Sequence, residues 1–153
     1  MAKPFKEWTV LPHGKLQRVD EGLLRGAKLG STYSAVDFAN ANSQRAVFGI
    51  AMDLLLQKHD LIISPTTPMV AFGAGHDVPP SSGQQFWTEW ACFNFPLNLS
   101  QQPACSVGCG MTRSGLPIGL QIVGRKADDA SVLAAAAAFA EVHPQPRLWE
   151  ARR

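Results

Sequence analysis

Residues 98–124 read NLSQQPACSVGCGMTRSGLPIGLQIVG, and this stretch decides the fold. It holds two short runs of small and apolar residues. The first is Ala104-Cys105-Ser106-Val107-Gly108-Cys109 and the second is Ile118-Gly119-Leu120-Gln121-Ile122-Val123. Between them, Gly110-Met111-Thr112-Arg113-Ser114-Gly115 carries turn chemistry at Ser114-Gly115. Two such runs joined by a short Gly-containing connection predict a β-hairpin. Neither run alternates cleanly between apolar and polar, so the hairpin is expected inside a sheet covered on both faces. Gly108, Gly110 and Gly119 are expected at bulges or close backbone approaches.

Upstream, residues 34–58 carry apolar residues at near-helical spacing: Phe38, Ala41, Val47/Phe48, Ile50/Ala51 and Leu54/Leu55. Ser34-x-x-Asp37 has the form of a capping box with the shorter acid, and Tyr33 is placed to staple against Phe38. Arg45, in mid-helix, is expected on a solvated face. Leu61-Ile62-Ile63 predicts a short buried strand whose pairing Pro65 ends. Thr66-Thr67-Pro68 then forms a loop at the strand's carboxyl end, where open α/β sheets usually bind ligands. Thr66 is either a cleft residue or a turn hydroxyl serving local backbone.

Residues 70–85 are rich in Gly and Pro and predict a long irregular loop. In FWTEWACFNF, residues 86–95, Phe86, Trp87, Trp90 and Phe93 have near-helical spacing. That spacing predicts a helix buried by its aromatic stripe, with one or two rings free to wall a pocket. Asp128 is an N-cap for an Ala-rich closing helix, which Pro144 stops. The α/β alternation sorts the chain into a poorly patterned segment 1–30, a folded region 31–145 and a tail 146–153. Within the first segment, Phe5, Trp8, Val10 and Leu11 suggest a small apolar patch, and residues 20–29 one or two helical turns.

Composition narrows the function classes. A hydrophobic share of 46% with 17% charged residues is that of a folded globular chain. A net charge of +2 is too slight to argue for nucleic acid or an anionic membrane as a partner. No apolar run approaches the ~20 residues that span a bilayer. The cysteines, Cys92, Cys105 and Cys109, are odd in number, and no leader peptide is recognisable. Both features point to the reducing cytoplasm, with the thiols buried and unpaired. Cys105-x-x-x-Cys109 has no histidine nearby to complete a metal site, and His76-Asp77 lacks further ligands. No G-x-S-x-G elbow, P-loop or G-x-G-x-x-G occurs, so neither a metal nor a cofactor is expected.

One resemblance is long and specific. N-L-S-Q-Q-P-A-x-S-V-x-x-G followed by G-L-P-I-G-L-Q-I-V-G resembles the C-terminal hallmark of the amidase signature family. D-L-I-I-S-P-T-T-P, residues 60–68, resembles that family's D-x-L-x-x-P-T strand and loop, in the expected order. The likeness covers roughly residues 15–143 but only the last third or so of such enzymes. It implies the C-terminal part of the amidase signature fold, with helices packed on a mixed β-sheet. It also implies a parent that hydrolyses a carboxamide through an acyl-serine. Family members take a serine, a second serine on a cis peptide and a lysine from their N-terminal half, and that pattern is not recognisable here. Ser81-Ser82-Gly83 imitates it without the flanking glycines or an upstream lysine. The chain is therefore expected to be inactive alone, with no catalytic residue of its own. It would supply sheet, core and cleft wall, its partner being a missing N-terminal catalytic portion or a catalytic partner chain. A non-catalytic assembly module and a truncated product are the alternatives.

For the cleft, the resemblance raises Trp90 and Phe93 as substrate neighbours, beside Thr66 and Trp87. Glutaminase members of the family tend to carry an acid two residues before the Phe of F-x-x-P-x-N. That run begins here at Phe93, and the matching residue is Ala91. Without that charge, the resemblance implies a general amidase whose cleft wall is apolar, unless Glu89 reaches the same space. Apolar strands in so short a chain are also expected to make it self-associate.

Overall fold

The computed structural model describes residues 21–144. The apolar patch expected at residues 5–11 and the tail from 146 lie outside them. The chain divides into two compact units, with the boundary between Asn42 and Ser43.

The first unit holds a helix, α1 (Glu21–Gly30), and the start of a longer one, α2 (Ala35–Lys58). The helical turns expected at residues 20–29 thus form a full helix. Hydroxyls at its end are absorbed locally: Ser31 Oγ donates to Lys28 O at 2.7 Å and Thr32 Oγ1 to Leu29 O at 2.7 Å. The capping box that opens α2 forms as read. Ser34 N–H and its hydroxyl donate to Asp37 Oδ2 at 2.8 and 2.6 Å, and Asp37 N–H donates back to Ser34 Oγ at 3.1 Å. Tyr33 and Phe38 are both largely exposed.

The second unit is built on a three-stranded antiparallel sheet in the order β1-β3-β2. Its strands are β1 (Ile62–Pro65), β2 (Ala104–Met111) and β3 (Pro117–Val123). The hairpin β2–β3 is the one anticipated. Thr112 N–H donates to Leu116 O and Gly115 N–H to Thr112 O, and Gly115 takes φ +80°, which glycine adopts freely. The register shifts between Gly108 and Gly110, so the expected bulge exists and Cys109 is its unpaired residue. Pro65, expected to end the pairing of β1, remains in register with Leu120. Pairing survives because β1 is an edge strand. The following N–H, from Thr66, returns to Gly119 O at 2.9 Å, so the position without an N–H faces away from β3.

The sheet is not covered evenly. Helix α4 (Asp129–Val142) starts at Asp128, whose carboxylate accepts from Ser131 N–H at 3.3 Å, and packs on β2 and β3. At this contact Ile122 of β3 is 3% exposed and Val132 of α4 is 2% exposed. Ile63, in register with Ile122 on the same face, is 66% exposed. Cover on both faces, as expected from the apolar runs, is therefore incomplete among the described residues.

Within this unit α2 turns Leu56 and Gly49 inward, and both are buried. Val47, Ile50 and Leu54 lie on its opposite side, all more than half exposed. Arg125 closes the end of α2, donating from Nε to Leu56 O at 2.7 Å and pairing with Asp60 at 3.2 Å. Arg45, expected on a solvated face, instead donates from Nε to Leu99 O at 2.8 Å. That carbonyl belongs to the last turn of α3 (Phe95–Ser100), where cations suit the unsatisfied C=O groups.

The helix expected over 86–95 is not formed. Only a single 3₁₀ turn, Trp87–Glu89, occurs there. The Glu89 carboxylate folds back to accept from the backbone N–H groups of Gln85 and Phe86 at 2.5 and 2.8 Å, which closes the turn. Those two donors, Phe86 foremost, hold its pKa below the usual carboxylate value. Pro96 then favours a new helix start, since proline fits the first helical turn and breaks an interior. No helix among the described residues is long and apolar enough to cross a membrane.

Candidate functional site

The end of β1, the strand pair β2–β3 and α3 border an open cleft of about 280 Å³. Its floor is set by register. Ser64, Gln121 and Ser106 lie abreast on one face of the three strands. Thr66, just beyond β1, places Oγ1 2.6 Å from Ser106 Oγ. This pair is possible because residue 119 is glycine: a Cβ there would stand 2.6 Å from Thr66 Oγ1 and 2.9 Å from Ser106 Oγ.

Two glutamines line the same cleft. Gln121 is 4% exposed and donates from Nε2 to Phe93 O at 3.4 Å and Asn94 Oδ1 at 3.2 Å, tying the segment before α3 to the sheet. Gln102, also buried, donates to Asp53 Oδ1 at 2.8 Å. The other oxygen of Asp53 accepts from Lys126 at 2.8 Å. The side-chain carbonyls of Gln102 and Gln121 are themselves buried and have no hydrogen-bond partner among the described residues. Leaving a buried acceptor unpaired costs about 1–3 kcal/mol. Asn94, Asn98 and Ala104 complete the wall, with Leu97 and Cys105. The Cys105 side chain itself points to the other face, in register with Ile122 and toward Val132 O of α4, where burial raises the thiol pKa above its ordinary value. The side chains that line the wall are all of uncharged types.

Of the four expected substrate-binding residues, only Thr66 lies on this cleft. Trp90 donates from Nε1 to Asp77 O at 3.0 Å and meets Phe72 edge-on, with centroids 5.6 Å apart. It pins the long loop that follows β1. Trp87 is half exposed and stands edge-on to Phe95, with centroids 5.9 Å apart. Phe93 reaches the site through its backbone carbonyl, which accepts from Gln121. No aromatic ring lines the cleft beside Thr66, which is mostly amide- and hydroxyl-lined.

Ala91 is buried, and the Glu89 carboxylate is occupied by its own turn. Ser82 Oγ accepts from Gln84 N–H at 3.2 Å in an exposed turn. Among the cysteines, Cys92 and Cys109 are exposed, contrary to the expectation of buried thiols. One follows the 3₁₀ turn and the other is lifted out of the ladder by the bulge. Sequence reasoning did not single out Ser106, Gln102 or Gln121. A signal existed for two of them, Ser106 and Gln121, since each is the lone polar side chain in an apolar strand run.

The profile of the family described as Amidase matches residues 8–133. The A-chain component of the glutamyl-tRNA(Gln) amidotransferase of Brevibacillus brevis is 36% identical over 124 residues, covering 80% of this chain and 25% of that protein. Its counterpart in Myxococcus xanthus is 34% identical over 115 residues, covering 75% and 23%. The chain therefore spans about a quarter of the length of the curated relatives it matches. Among solved structures, the same component of the Thermotoga maritima amidotransferase superposes with a TM-score of 0.66 at 28% identity, covering 86% of this chain and 29% of that one. A bacterial aryl acylamidase of the amidase signature family superposes with a TM-score of 0.73 at 21% identity, covering 92% and 30%, a likeness of fold.

Proposed function

Because this chain belongs to the amidase family, we propose that it is the C-terminal part of a carboxamide hydrolase. It supplies sheet, core and part of the cleft, and it lacks the serine, cis-serine and lysine that perform the reaction. The observation that carries this reading is the match itself, which takes up most of this chain and about a quarter of its relatives. The uncovered apolar surface, Ile63 beside buried Ile122 and the outward row of Val47, Ile50 and Leu54, fits a body that packs against further polypeptide. That polypeptide is the catalytic portion of an amidase, in the same chain or another, and the setting is cytoplasmic.

In this reading the catalytic portion attacks the carboxamide with its serine, and water then releases the acid from the acyl-serine. Thr66 borders the cleft contributed by this chain, with Phe93 reaching it through its backbone carbonyl and Trp87 and Trp90 bracing the segments beside it. With Ala91 in place of an acid and Glu89 engaged in its own turn, no carboxylate here is free to hold the ammonium of glutamine. The parent is accordingly a general amidase rather than a glutamine-specific one. Joining this chain to the catalytic portion of a complete amidase, in place of its own C-terminal part, tests the assignment. Turnover of benzamide in the joined protein, and none by this chain alone, is the expected result. Turnover by the isolated chain that Ser82→Ala abolishes would overturn it, as would a joined protein that prefers glutamine and loses that preference with Glu89→Gln.

A further inference from the structure

We propose that Gln121 is a positioning residue: from the central strand it turns Asn94 so that the cleft meets the amide N–H groups of Asn94 and not its carbonyl. On the amidase reading above, which this selectivity rests on, that donor favours substrates whose acyl group carries a hydrogen-bond acceptor. The orientation is fixed by two bonds in sequence. The backbone carbonyl of Phe93 can only accept, so the Gln121 atom 3.4 Å from it is the donor Nε2. The second hydrogen of Nε2 goes to Asn94, so the Asn94 atom 3.2 Å away is the acceptor Oδ1. With its oxygen held in this way, Asn94 turns its nitrogen away from Gln121, and Asn94 lines the cleft. A main-chain oxygen thus decides which end of the Asn94 amide is left to donate.

Stability alone does not call for glutamine at position 121. Its neighbours along β3, Leu120, Ile122 and Val123, are apolar, and its own carbonyl is buried without a partner among the described residues. Such an acceptor costs free energy that a methionine of the same length would not. What the glutamine adds is direction. It stands on the strand paired from both sides, abreast of Ser64 and Ser106, which makes it a rigid anchor. The residue it aims is held from the other side as well. Asn94 O accepts from the backbone N–H of Asn98 at 3.2 Å and from Asn98 Nδ2 at 3.3 Å. On a wall of uncharged side chains, one donor with a fixed direction discriminates by hydrogen bonding. A site built to bond an acceptor rejects the analogue that lacks it, because the donor is then left unpaired.

The test has two arms. In the protein joined to the catalytic portion of an amidase, benzamide is compared with nicotinamide and isonicotinamide, in which a nitrogen acceptor replaces one ring CH. The KM of the better pyridine amide should lie about tenfold below that of benzamide, the weight of one hydrogen bond. Gln121→Met should erase this difference by raising the pyridine-amide KM, with kcat and the benzamide KM little changed. Asn94→Asp keeps the oxygen that Gln121 holds and removes the donor, so it should erase the difference too, and it carries the test if Gln121→Met does not fold. A merely structural Gln121 would lower turnover of all three amides alike. In the second arm, the full chain alone is labelled at its asparagine side chains. Gln121→Met should shift the Asn94 side-chain resonances and speed exchange of the Asn98 amide, with the amides of the β2–β3 hairpin unmoved. Equal losses on all three amides, no KM difference in the unsubstituted joined protein, or unmoved Asn94 resonances in a folded Gln121→Met would overturn the proposal. A joined protein that turns over no amide, with the Asn94 response intact, would remove the proposed function and leave the positioning of Asn94 standing.

Discussion

Gly124 follows β3 where the chain passes under α4, and an alanine there is the sharpest test of the packing. A Cβ at this position would stand 2.5 Å from Val132 Cγ2. Ordinary carbon–carbon contact is about 3.5–4.0 Å, so the overlap is on the order of 1 Å. Val132 cannot easily retreat, being 2% exposed on the first turn of α4. Gly124 does not adopt a positive φ, so alanine strains no dihedral and the cost is steric. Overpacking of this kind costs about 1–3 kcal/mol. Val132→Ala alone removes two methyl groups, costing about 1.5 kcal/mol in transfer and more for the cavity left. In the double variant the new methyl enters that cavity, so the two losses should fall short of additivity by about 1–2 kcal/mol. Urea unfolding of the four proteins measures this; with slopes of about 1–3 kcal/mol per molar, the midpoint of Gly124→Ala should fall by about 1 M. Strict additivity, or a Gly124→Ala midpoint within error of the parent, would refute the contact.

Other outcomes follow from single bonds. Gly119→Ala should part Thr66 from Ser106 and destabilise by about 1–3 kcal/mol, read as a lower urea midpoint. Arg45→Met should loosen the end of α3 by about 1 kcal/mol, read as faster amide exchange at residues 99–101. For pH, the bonds from Ser34 hold the Asp37 pKa below its ordinary value. This contribution is present above the unfolded pKa and is lost as pH falls through the folded one. Residues 34–38 should therefore fray first in acid, and Asp37→Asn should flatten that dependence in exchange measurements. Trp90→Phe removes the bond to Asp77 O, so proteolysis in the loop at 70–86 should quicken while the thermal midpoint changes little.

How far the sequence could be read depended on the range of the interactions. The capping box at Ser34 and Asp37, the Asp128 cap and the turn around Gly115 are set by residues three or four apart, and each formed as expected. The aromatic run at 86–95 failed because two local events outcompeted its helical spacing: the Glu89 carboxylate closed a short turn, and Pro96 started a new helix. Arg45 was misjudged because its partner, Leu99 O, lies in an element that sequence reading had not identified. The site was half legible. Thr66 is flagged by its place after a strand, but Ser106 becomes its partner only through pairing of both strands with β3. Gln102 depends on Asp53, far away in the sequence, and no local pattern announces such a bond.

The strand order β1-β3-β2 also fixes a timetable. The hairpin β2–β3 closes over a handful of residues and can form in about 1–10 μs. Ile62 must wait for Val123, about sixty residues later, and closing that loop costs about 2 kcal/mol more entropy than closing the hairpin turn. On a ribosome adding about 5–20 residues per second, β1 therefore spends seconds without its partner. Its Leu61-Ile62-Ile63 segment is exposed for that interval, so the yield of folded protein should respond to chaperone supply and to translation speed more strongly than to the stability finally reached.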